Sequence, residues 1–557
     1  MEGQKYVYGY DFGTLSCRLI VVNIATGEIV AQGVEEYPNG EISERLPNSD
    51  VSLPQEWYLQ DPDDYINVMS TLSKRLLEKT GISSGDIIGI GSCFTNCTMM
   101  PIDIDGTVLC QKEKFRDKPH AWVKLWKHHG AQPYAEEIEV YAKENVDWIW
   151  EYGNNVSSEW FFPKVLQIYR EAPEIYEKTD VFIEAADWIV YKMTGNLIRN
   201  SATLGVNCFW NPKRGYPDKK FFYDIEPGLE NVVEDKMKGE IAVVGTRAGS
   251  LTPEFARLLG LTTDTIVSVG HGDSEVAACG TSTVDSGTMI IVMGTSTCQQ
   301  MIHNTIRDID GISSVIMDGM IPGFYAYQSG QPAVGDIFEW YADNLAPAEY
   351  TTQAKEDNLS ILAYMDKKAS ELQPGESGLV ALDWLNGNRS VLMNYDLTGI
   401  IMGLKLQTKP EEIFRALLEA TAFGTKTIID GYETEGVAVE NIIGAGGLPR
   451  KSPLIMQIYS DVLNRKILVP NSVNNSALGS AVCGAVAAKD RSGYNTIQEA
   501  IDKMVPKDFT MYYPNEKNHR VYQELYKVYK QLHDYLGGDT KNPMKMLKDI
   551  QRKIGKN

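Results

Sequence analysis

The chain has 557 residues, 43% of them hydrophobic, with a formal net charge of −21 and a sequence pI of about 4.9. This length predicts two or more domains, and the acidic balance argues against nucleic acid or an anionic membrane as a partner, because both need basic patches. The N-terminal segment MEGQKYVYGYDFG has no apolar signal core, and no uninterrupted apolar stretch reaches the roughly 18 residues of a membrane span, so we expect a soluble cytoplasmic protein.

The first segment with a strong pattern is YVYGYDFGTLSCRLIVVNI, which predicts two strands joined by a tight turn. Asp11, Gly13, Thr14 and Ser16 lie at this turn. Glycine lets an anion approach the backbone, hydroxyl groups add hydrogen-bond donors, and an aspartate here suits the shell of Mg²⁺. Each such turn alone is better explained as an ordinary hairpin.

Further along, strand-like and helix-like stretches alternate: a helix from about 61 to 79, the strand DIIGIGSCF, a helical block from about 133 to 194, and the strand VSVGHGD. The pattern then restarts with GTMIIVMGTSTCQQMI, a second hairpin whose turn spans Gly294 to Thr297. The recurrence of the same hairpin favours phosphate binding by the two turns over the alternative that each is an ordinary hairpin. The alternation predicts an α/β protein, with domains at 1–280 and 281–537 and a basic C-terminal tail at 538–557 that forms a surface helix.

Near the C-terminus the strand NIIGA runs into Gly446 and Gly447, and the helix LIMQIYSDVL, the strand KILVP and the small-residue helix ALGSAVCGAVAA follow. A glycine pair at a strand-to-helix junction lets a flat ligand lie against the backbone, although a sterically required turn explains it equally well. The eight cysteines show no zinc-site spacing, so we expect reduced and mostly buried thiols rather than metal ligands such as Cys93 and Cys97.

Together these features resemble the FGGY carbohydrate kinases, and within them the ribulokinases. The resemblance rests on the segments DFGTLSCR, SSEWFFPK, GTSTC, SGQPAVGDIF, DWLNGNRS, ATAFGTKTIIDG and GAGGLPRKSPLIMQIYSDVLNR. It implies two ribonuclease-H-like domains of the actin and hexokinase ATPase type, each with a mixed five-stranded sheet, on either side of a central cleft. ATP and Mg²⁺ would bind the C-terminal domain, and a sugar would sit deep in the N-terminal one.

The resemblance also assigns roles to residues. Asp273 matches the catalytic aspartate, which accepts the proton of the sugar hydroxyl during phosphoryl transfer; by spacing alone, a turn aspartate that caps the next helix is a competing explanation. Asp11 would hold Mg²⁺, and Asp273 is the second candidate metal ligand. The nucleotide-binding positions implied are Asp11, Gly13, Thr14, Ser16, Arg18, Gly294, Thr295, Ser296, Thr297, Gly446, Gly447 and Leu448.

The implied sugar-binding positions are Cys93, Thr95, Asn96, Trp126, Asn207, Asp273 and Gln328. Several residues depart from the ribulokinase pattern. Cys93 stands where GVD-x-T has aspartate, Asn207 where a lysine precedes Trp210, and Gln328 where E-A-G-Q has glutamate; Glu275 replaces the histidine of D-x-H. Losing one lysine and one glutamate favours a rebuilt neutral site and a changed specificity, the alternative being ordinary core or loop polarity.

The predicted function is ATP-dependent phosphorylation of the terminal hydroxyl of a ketopentose: L-ribulose, D-ribulose or D-xylulose. The alternatives are an FGGY kinase for another polyol or ketohexose and a sugar-binding protein without catalysis, against which the retention of Asp11 and Asp273 speaks. A metal-dependent oxidoreductase is the weakest option, since no GxGxxG follows the first strand. A small-molecule sugar is the expected partner. The sequence leaves open which sugar it is, the role of the tail, and the oligomeric state, a homodimer included.

Overall fold

The computed structural model describes residues 3–281, 285–472, 474–538 and 542–554, which form two compact units. The first unit contains residues 3–281, 315–326 and 474–507, and the second contains 285–314, 327–472 and the described residues from 508 onward. The segment 474–507 therefore groups with the N-terminal half of the chain, whereas a division at 280/281 would assign it to the C-terminal domain.

The strands of the described residues, in chain order, are β1 (Tyr6–Phe12), β2 (Ser16–Asn23), β3 (Ile29–Glu36), β4 (Leu59–Gln60), β5 (Ile87–Phe94), β6 (Met99–Ile102), β7 (Val123–Lys124), β8 (Val181–Glu184), β9 (Ile198–Asn200), β10 (Glu240–Ala242), β11 (Arg247–Ser250), β12 (Ile266–Ser268), β13 (His271–Gly272), β14 (Thr288–Met293), β15 (Thr297–His303), β16 (Ser314–Met317), β17 (Tyr325–Gln331), β18 (Val380–Leu382), β19 (Ile400–Met402), β20 (Asn441–Gly446), β21 (Ile467–Pro470) and β22 (Phe509–Tyr512).

The α-helices of the same residues are α1 (Pro62–Thr80), α2 (Gln132–Asn145), α3 (Phe161–Glu171), α4 (Pro173–Lys178), α5 (Ala185–Thr194), α6 (Ser201–Asn207), α7 (Lys219–Ile225), α8 (Val232–Lys236), α9 (Pro253–Leu259), α10 (Asp273–Cys279), α11 (Gly335–Asn344), α12 (Ala348–Glu356), α13 (Ile361–Ser370), α14 (Pro410–Thr434), α15 (Leu448–Lys451), α16 (Pro453–Leu463), α17 (Asn475–Ala487), α18 (Lys489–Ser492), α19 (Ile497–Met504), α20 (Glu516–Gly537) and α21 (Pro543–Ile554).

The first unit is built on a mixed sheet in the order β11-β12-β5-β1-β2-β3, with β13 also pairing to β5. Strand β1 runs antiparallel to β2 and parallel to β5. Every residue of β1 and β5 is buried, which is typical of central strands covered on both faces and explains their continuous apolar sequences. A smaller sheet, β4-β7-β6-β8, lies in the same unit.

The second unit has a sheet in the order β16-β17-β15-β14-β20-β21-β22. Its β14 pairs antiparallel with β15 and parallel with β20, which repeats the pattern of β1, β2 and β5 in the first unit. Both predicted hairpins and the α/β class are therefore confirmed. Each sheet has seven strands among the described residues, whereas the resemblance implied five. The strands beyond five are β11 and β13 in the first sheet and β16 and β22 in the second.

The small-residue helix α17 packs directly on the central strands of the first unit. A Cβ on Gly9 would lie 1.9 Å from the backbone oxygen of Ala477, and one on Gly91 would lie 1.8 Å from that of Ser480. These glycines, paired with each other across β1 and β5, let the helix backbone contact the sheet backbone. The composition of ALGSAVCGAVAA follows from this close approach, since larger side chains would separate helix and sheet.

The ends of several helices follow from their sequences. The side chain of Asp61 accepts a hydrogen bond from the Asp63 amide at the start of α1, Pro62 opens the helix, and Gly81 ends it at φ 65°. The predicted surface helix in the tail is observed as α21, while residues 539–541 and 555–557 of that prediction lie outside the described residues. Among the described helices, none combines the length and apolar character needed to cross a membrane.

Candidate functional site

The carboxyl ends of three strands meet in the first unit. In the parallel register of β1 and β5, Asp11 lies opposite Cys93, and in that of β13 and β5, His271 lies opposite Cys93. Asp273 follows β13 directly as the first residue of α10. Asp11, Cys93 and Asp273 therefore come together at one edge of the sheet, where ligands bind in open α/β folds.

Asp11 is a buried carboxylate at this edge, with 7% of its surface exposed. Its Oδ2 accepts a hydrogen bond from Arg18 Nη1 at 3.1 Å, and its Oδ1 accepts one from Cys93 Sγ at 3.6 Å. Burial raises the pKa of the Asp11 carboxyl, while the charge of Arg18 and the hydrogen bonds from Arg18 and Cys93 oppose this shift. Arg18, predicted to lie in the phosphate turn, is thus the counter-ion of Asp11.

Asp273 is partly exposed, and its Oδ1 accepts a hydrogen bond from the amide of Ser274 at 2.7 Å. Burial raises the pKa of its carboxyl well above the usual range, and the nearby charges of Asp11 and Glu275 raise it further. A carboxylate surrounded by other carboxylates binds a proton more strongly than one in water. This property suits a group that removes a proton from a hydroxyl.

The turn between β1 and β2 is held by contacts on both sides. The Gly13 amide donates to the Ser16 carbonyl at 3.0 Å, and the Gln60 side chain donates to the Thr14 carbonyl at 2.6 Å. The indole of Trp126 donates to Thr14 Oγ1 at 3.2 Å. Thr14 therefore joins the predicted phosphate turn to the predicted sugar wall. Gln60 was not predicted from the sequence, because a single glutamine beside a helix start carries no pattern.

Next to Asp273, the amide of Asn96 donates to both carboxylate oxygens of Glu275, at 2.7 and 2.6 Å. Asn96 Oδ1 has no hydrogen-bond partner among the described residues. The hydroxyl of Thr95 is 2.8 Å from that of Thr98, which closes the turn after β5. Glu275, which stands where the family pattern has histidine, thus binds a residue of the predicted sugar site.

Asn207, at the end of α6, is fully buried, and its Oδ1 accepts a hydrogen bond from Cys208 Sγ at 3.1 Å. It lies next to Glu184 and lowers the pKa of that carboxyl, while burial, the larger effect, raises it to about 8. Glu184 is therefore a further polar group beside the predicted sugar position.

In the second unit, two of the predicted nucleotide segments also come together. The Gly294 amide donates to the Ser296 carbonyl at 2.9 Å within the turn from β14 to β15, and Gly294 and Thr295 are exposed. In the parallel register of β14 and β20, Met293 lies opposite Gly446. Gly447 and Leu448 then begin α15. The exposed turn and the glycine pair therefore share one edge of the second sheet.

The remaining prediction for the sugar site, Gln328, lies on β17. Its Oε1 accepts a hydrogen bond from Ser314 Oγ at 3.5 Å, and its carbonyl accepts one from the amide of Ser313 at 2.7 Å. Gln328 belongs to the second unit and the other predicted sugar-binding residues to the first. Its role stays a prediction.

Asp11 and Asp273 are the residues with suitable chemistry for a divalent cation. Among the described residues, no group of three or more histidine, cysteine, aspartate or glutamate side chains forms a metal cluster. Mg²⁺ does not need one, because it keeps several waters and takes one or two carboxylates together with phosphate oxygens. None of the eight cysteines forms a disulfide, and all except Cys298 are buried, as predicted.

Comparison with known proteins identifies the family. Residues 6–280 match the N-terminal domain of the FGGY family of carbohydrate kinases, and residues 289–488 match its C-terminal domain. The chain belongs to the FGGY family of carbohydrate kinases. As a member of this family it is an ATP-dependent carbohydrate kinase, and the predicted resemblance is confirmed.

Individual FGGY kinases match over almost their whole length. A ribulokinase from Geobacillus thermodenitrificans is 46% identical over 548 residues, 98% of this chain and 97% of that protein. A ribulokinase from Anoxybacillus flavithermus is 46% identical with the same coverage. The crystal structure of a gluconate kinase from Lactobacillus acidophilus shares the fold, with a TM-score of 0.78 at 18% identity, over 97% of this chain and 99% of that one.

Proposed function

We propose that this FGGY kinase transfers the terminal phosphoryl group of ATP to the terminal hydroxyl of a ketopentose, with L-ribulose, D-ribulose and D-xylulose as candidates. The observation that carries the proposal is the meeting of Asp11 and Asp273 at the carboxyl edge of the first sheet, in a chain 46% identical to ribulokinases over nearly its full length. Phosphoryl transfer needs little more than positioning, a base and charge neutralisation, and these residues supply the base and the carboxylates that would hold a neutralising cation.

In this proposal Asp273 accepts the proton of the attacking hydroxyl. Its raised pKa supports the role, because a carboxylate with a higher proton affinity is a better general base near neutral pH. The amide of Ser274 fixes one of its oxygens by a 2.7 Å hydrogen bond. Asp11, held in place by Arg18, stays beside it as a second negative charge.

The residues present fit ATP with Mg²⁺. The charge of Asp11 raises the pKa of the Asp273 carboxyl, and a divalent cation stabilises carboxylates that lie so close together, so Asp11 and Asp273 would hold it. When bound, the cation neutralises the phosphate charges. In the first unit, the turn at Gly13 and Thr14 is a candidate contact for phosphate. In the second unit, the turns at Gly294 and Gly446 are candidate contacts for the nucleotide, since backbone amides in such turns bind anionic groups.

The sugar side of the site differs from the ribulokinase pattern, which favours a second candidate: an FGGY kinase for another polyol or ketohexose. Asn207 is neutral where the pattern has lysine, and it lies against Glu184. Asn96 binds Glu275, which replaces histidine. Amides donate and accept hydrogen bonds to hydroxyl groups without requiring a charged substrate, so these residues suit an uncharged sugar or polyol.

An ADP-release screen of the purified protein against pentuloses, polyols, hexuloses and gluconate tests the proposal. We expect one ketopentose to give the highest kcat/KM, and Asp273→Asn to lower its kcat by roughly 10²–10⁴ while ATP affinity, measured separately by calorimetry, changes by no more than a few-fold. A best substrate that is a polyol or ketohexose would favour the second candidate. Activity of Asp273→Asn within ten-fold of the unmodified protein would remove Asp273 as the base.

A further inference from the structure

A buried lysine reaches two segments of the predicted sugar site without belonging to either. Lys164 lies in the first turn of α3 and is completely buried. It is part of the segment SSEWFFPK, where a charged residue directly follows Trp160, Phe161, Phe162 and Pro163. A lysine is almost never fully buried unless its ammonium group is bound, so its contacts need an explanation.

The ammonium group of Lys164 donates hydrogen bonds to two backbone carbonyls, to Cys97 O at 2.6 Å and to Leu125 O at 2.8 Å. Cys97 directly follows Asn96, and Leu125 directly precedes Trp126. One side chain from a separate helix thus ties the turn after β5 to the chain segment that follows β7. Both segments carry residues of the predicted sugar site.

The turn that Lys164 binds has an uncommon backbone conformation. Cys97 has φ 60°, in the left-handed region that residues other than glycine rarely adopt. A charge-assisted hydrogen bond to the carbonyl of the same residue stabilises this conformation. Removing the ammonium group would leave a buried carbonyl without a donor at the point where the backbone is least favourable.

The charge of Lys164 has acidic neighbours. Glu184 and Glu159 both favour its charged form, while burial, the larger effect, lowers the pKa of the ammonium group to about 8. Glu184 is also the neighbour of Asn207. The lysine therefore connects three positions of the predicted sugar site: Asn96, Trp126 and Asn207.

We propose that Lys164 is a positioning residue for the sugar: it fixes the Asn96 turn relative to Trp126, and sugar affinity depends on that arrangement. The inference rests on the proposed function, since it assumes that Asn96 and Trp126 contact the sugar. Lys164 is fully buried and does not itself touch substrate. A displacement of either segment by about 1 Å would suffice to weaken binding and turnover.

The test is Lys164→Met, which keeps an unbranched side chain only one atom shorter and removes the charge and both hydrogen bonds. The matched control is Lys124→Met: Lys124 is equally buried, but its ammonium group lies 4.2 Å from the centre of the Trp57 ring and has no hydrogen-bond partner among the described residues. We expect Lys164→Met to raise the sugar Kd and KM by roughly 10-fold or more, with the ATP KM within three-fold. Lys124→Met should leave the sugar Kd within two-fold.

A second variant keeps the inference testable if Lys164→Met folds poorly. Glycine adopts positive φ at little cost, so Cys97→Gly removes the strain that Lys164 offsets. The double variant Lys164→Met with Cys97→Gly should therefore recover folded protein and part of the sugar affinity. Sugar binding is measured by calorimetry in the absence of nucleotide, so the readout does not depend on turnover.

An unchanged sugar Kd in Lys164→Met would overturn the inference, as would an equal loss of sugar and ATP affinity or a double variant no better than the single one. These outcomes are distinct from failure of the proposed function. If the unmodified protein binds no sugar of the panel, the proposed function fails and the inference with it. If it binds a polyol or hexulose instead of a ketopentose, the same comparison is made with that ligand.

Discussion

At the residue scale, the candidate base Asp273 lies next to a second carboxylate, Glu275, which is itself bound by Asn96. Glu275 lies two positions after Asp273 and raises the pKa of its carboxyl, and Asn96 holds both oxygens of Glu275. The pair packs against Gly272, where a Cβ would be 2.1 Å from Asn96 Oδ1 and from Glu275 Oε2. The amide thus binds a carboxylate that lies next to the base.

We expect Asn96→Ala and Glu275→Ala each to lower kcat/KM by roughly 10-fold, because each removes both hydrogen bonds between the two side chains next to the base. The double variant should lose no more than either single one, since the two residues act as one unit. Steady-state kinetics of the unmodified protein, the two single variants and the double variant give this double-mutant cycle. Asn39→Ala is the control, because it breaks a similar contact with Asp64 elsewhere in the first unit. Additive losses would show that the pair is not coupled.

A second prediction concerns Asn207. A lysine buried at this position needs a counter-charge, and the structure places Glu184 beside Asn207. We therefore expect Asn207→Lys to fold, with Glu184 as its partner, and to raise kcat/KM for L-ribulose. Asn207→Met is the uncharged control. Asn207→Lys with Glu184→Gln should have a lower urea midpoint than Asn207→Lys alone, because the new charge is then unpaired.

At the scale of elements, strands and hairpins carry the site, and most of these were predictable. The apolar runs of β1, β5 and β14 and the helix α1 have strong sequence patterns, and all are observed. Strand β8 was not predicted, because its four residues lie inside a block with helical character and are recognised only through pairing with β6. The segment VSVGHGD was predicted as one strand, but its pairing with β5 divides it into β12 and β13.

The candidate site was predictable to a similar extent. The residues at strand ends, such as Asp11 and Asp273, follow from motifs and from the family resemblance. Lys164, Glu184 and Gln60 do not, since their contacts join segments that are 39 to 67 residues apart for Lys164 and 46 residues apart for Gln60. No local sequence pattern predicts which backbone carbonyl a buried ammonium group will bind.

The junction of β20 and α15 gives a prediction at this scale. Gly446 has φ 93°, and a Cβ there would lie 2.4 Å from the carbonyl oxygen of Met293 on β14. Gly446→Ala should therefore displace the paired end of β14 and raise the ATP KM by roughly 10-fold or more, with little effect on sugar affinity. Gly436→Ala is the control, since φ is 78° there but the space around it is open. Unchanged ATP kinetics in Gly446→Ala would separate this junction from nucleotide binding.

At the scale of the whole molecule, several buried ionisable groups make stability depend on pH. In the first unit, Trp57 is surrounded by Lys124, His120 and His128, with ring centres of both histidines 4.8 Å from that of the indole. Burial lowers the pKa of His120 to about 4, the charge of Lys124 lowers it further, and Glu171 and Glu174 oppose the shift. Burial also lowers the pKa of His128, with Lys124 and Lys164 adding to the effect.

These histidines predict a loss of stability in mild acid. Between pH 6.5 and about 4 the unfolded chain binds protons that folded His120 does not, so the free energy of unfolding falls as pH falls through this window. For His120 alone the loss is on the order of 2 kcal/mol between pH 6.5 and 5. Buried carboxyls oppose it, because burial raises the pKa of Glu184 to about 8 and of Asp187 to about 7, so the folded state binds extra protons there.

A matched variant isolates the histidine from these opposing groups. His120→Gln keeps a hydrogen-bond donor for Glu171, which lies 3.1 Å from His120 Nε2, and removes the titration. Urea midpoints are measured from pH 7.5 to 5. Above pH 6.5 the midpoints of the unmodified protein and of His120→Gln should change equally with pH. Below pH 6.5 the unmodified protein should lose stability relative to His120→Gln. His129→Gln, at a ring that is 44% exposed, should follow the unmodified protein throughout. If His120→Gln loses stability in parallel with the unmodified protein down to pH 5, His120 is already charged in the folded state, and its burial does not control the acid sensitivity of the molecule.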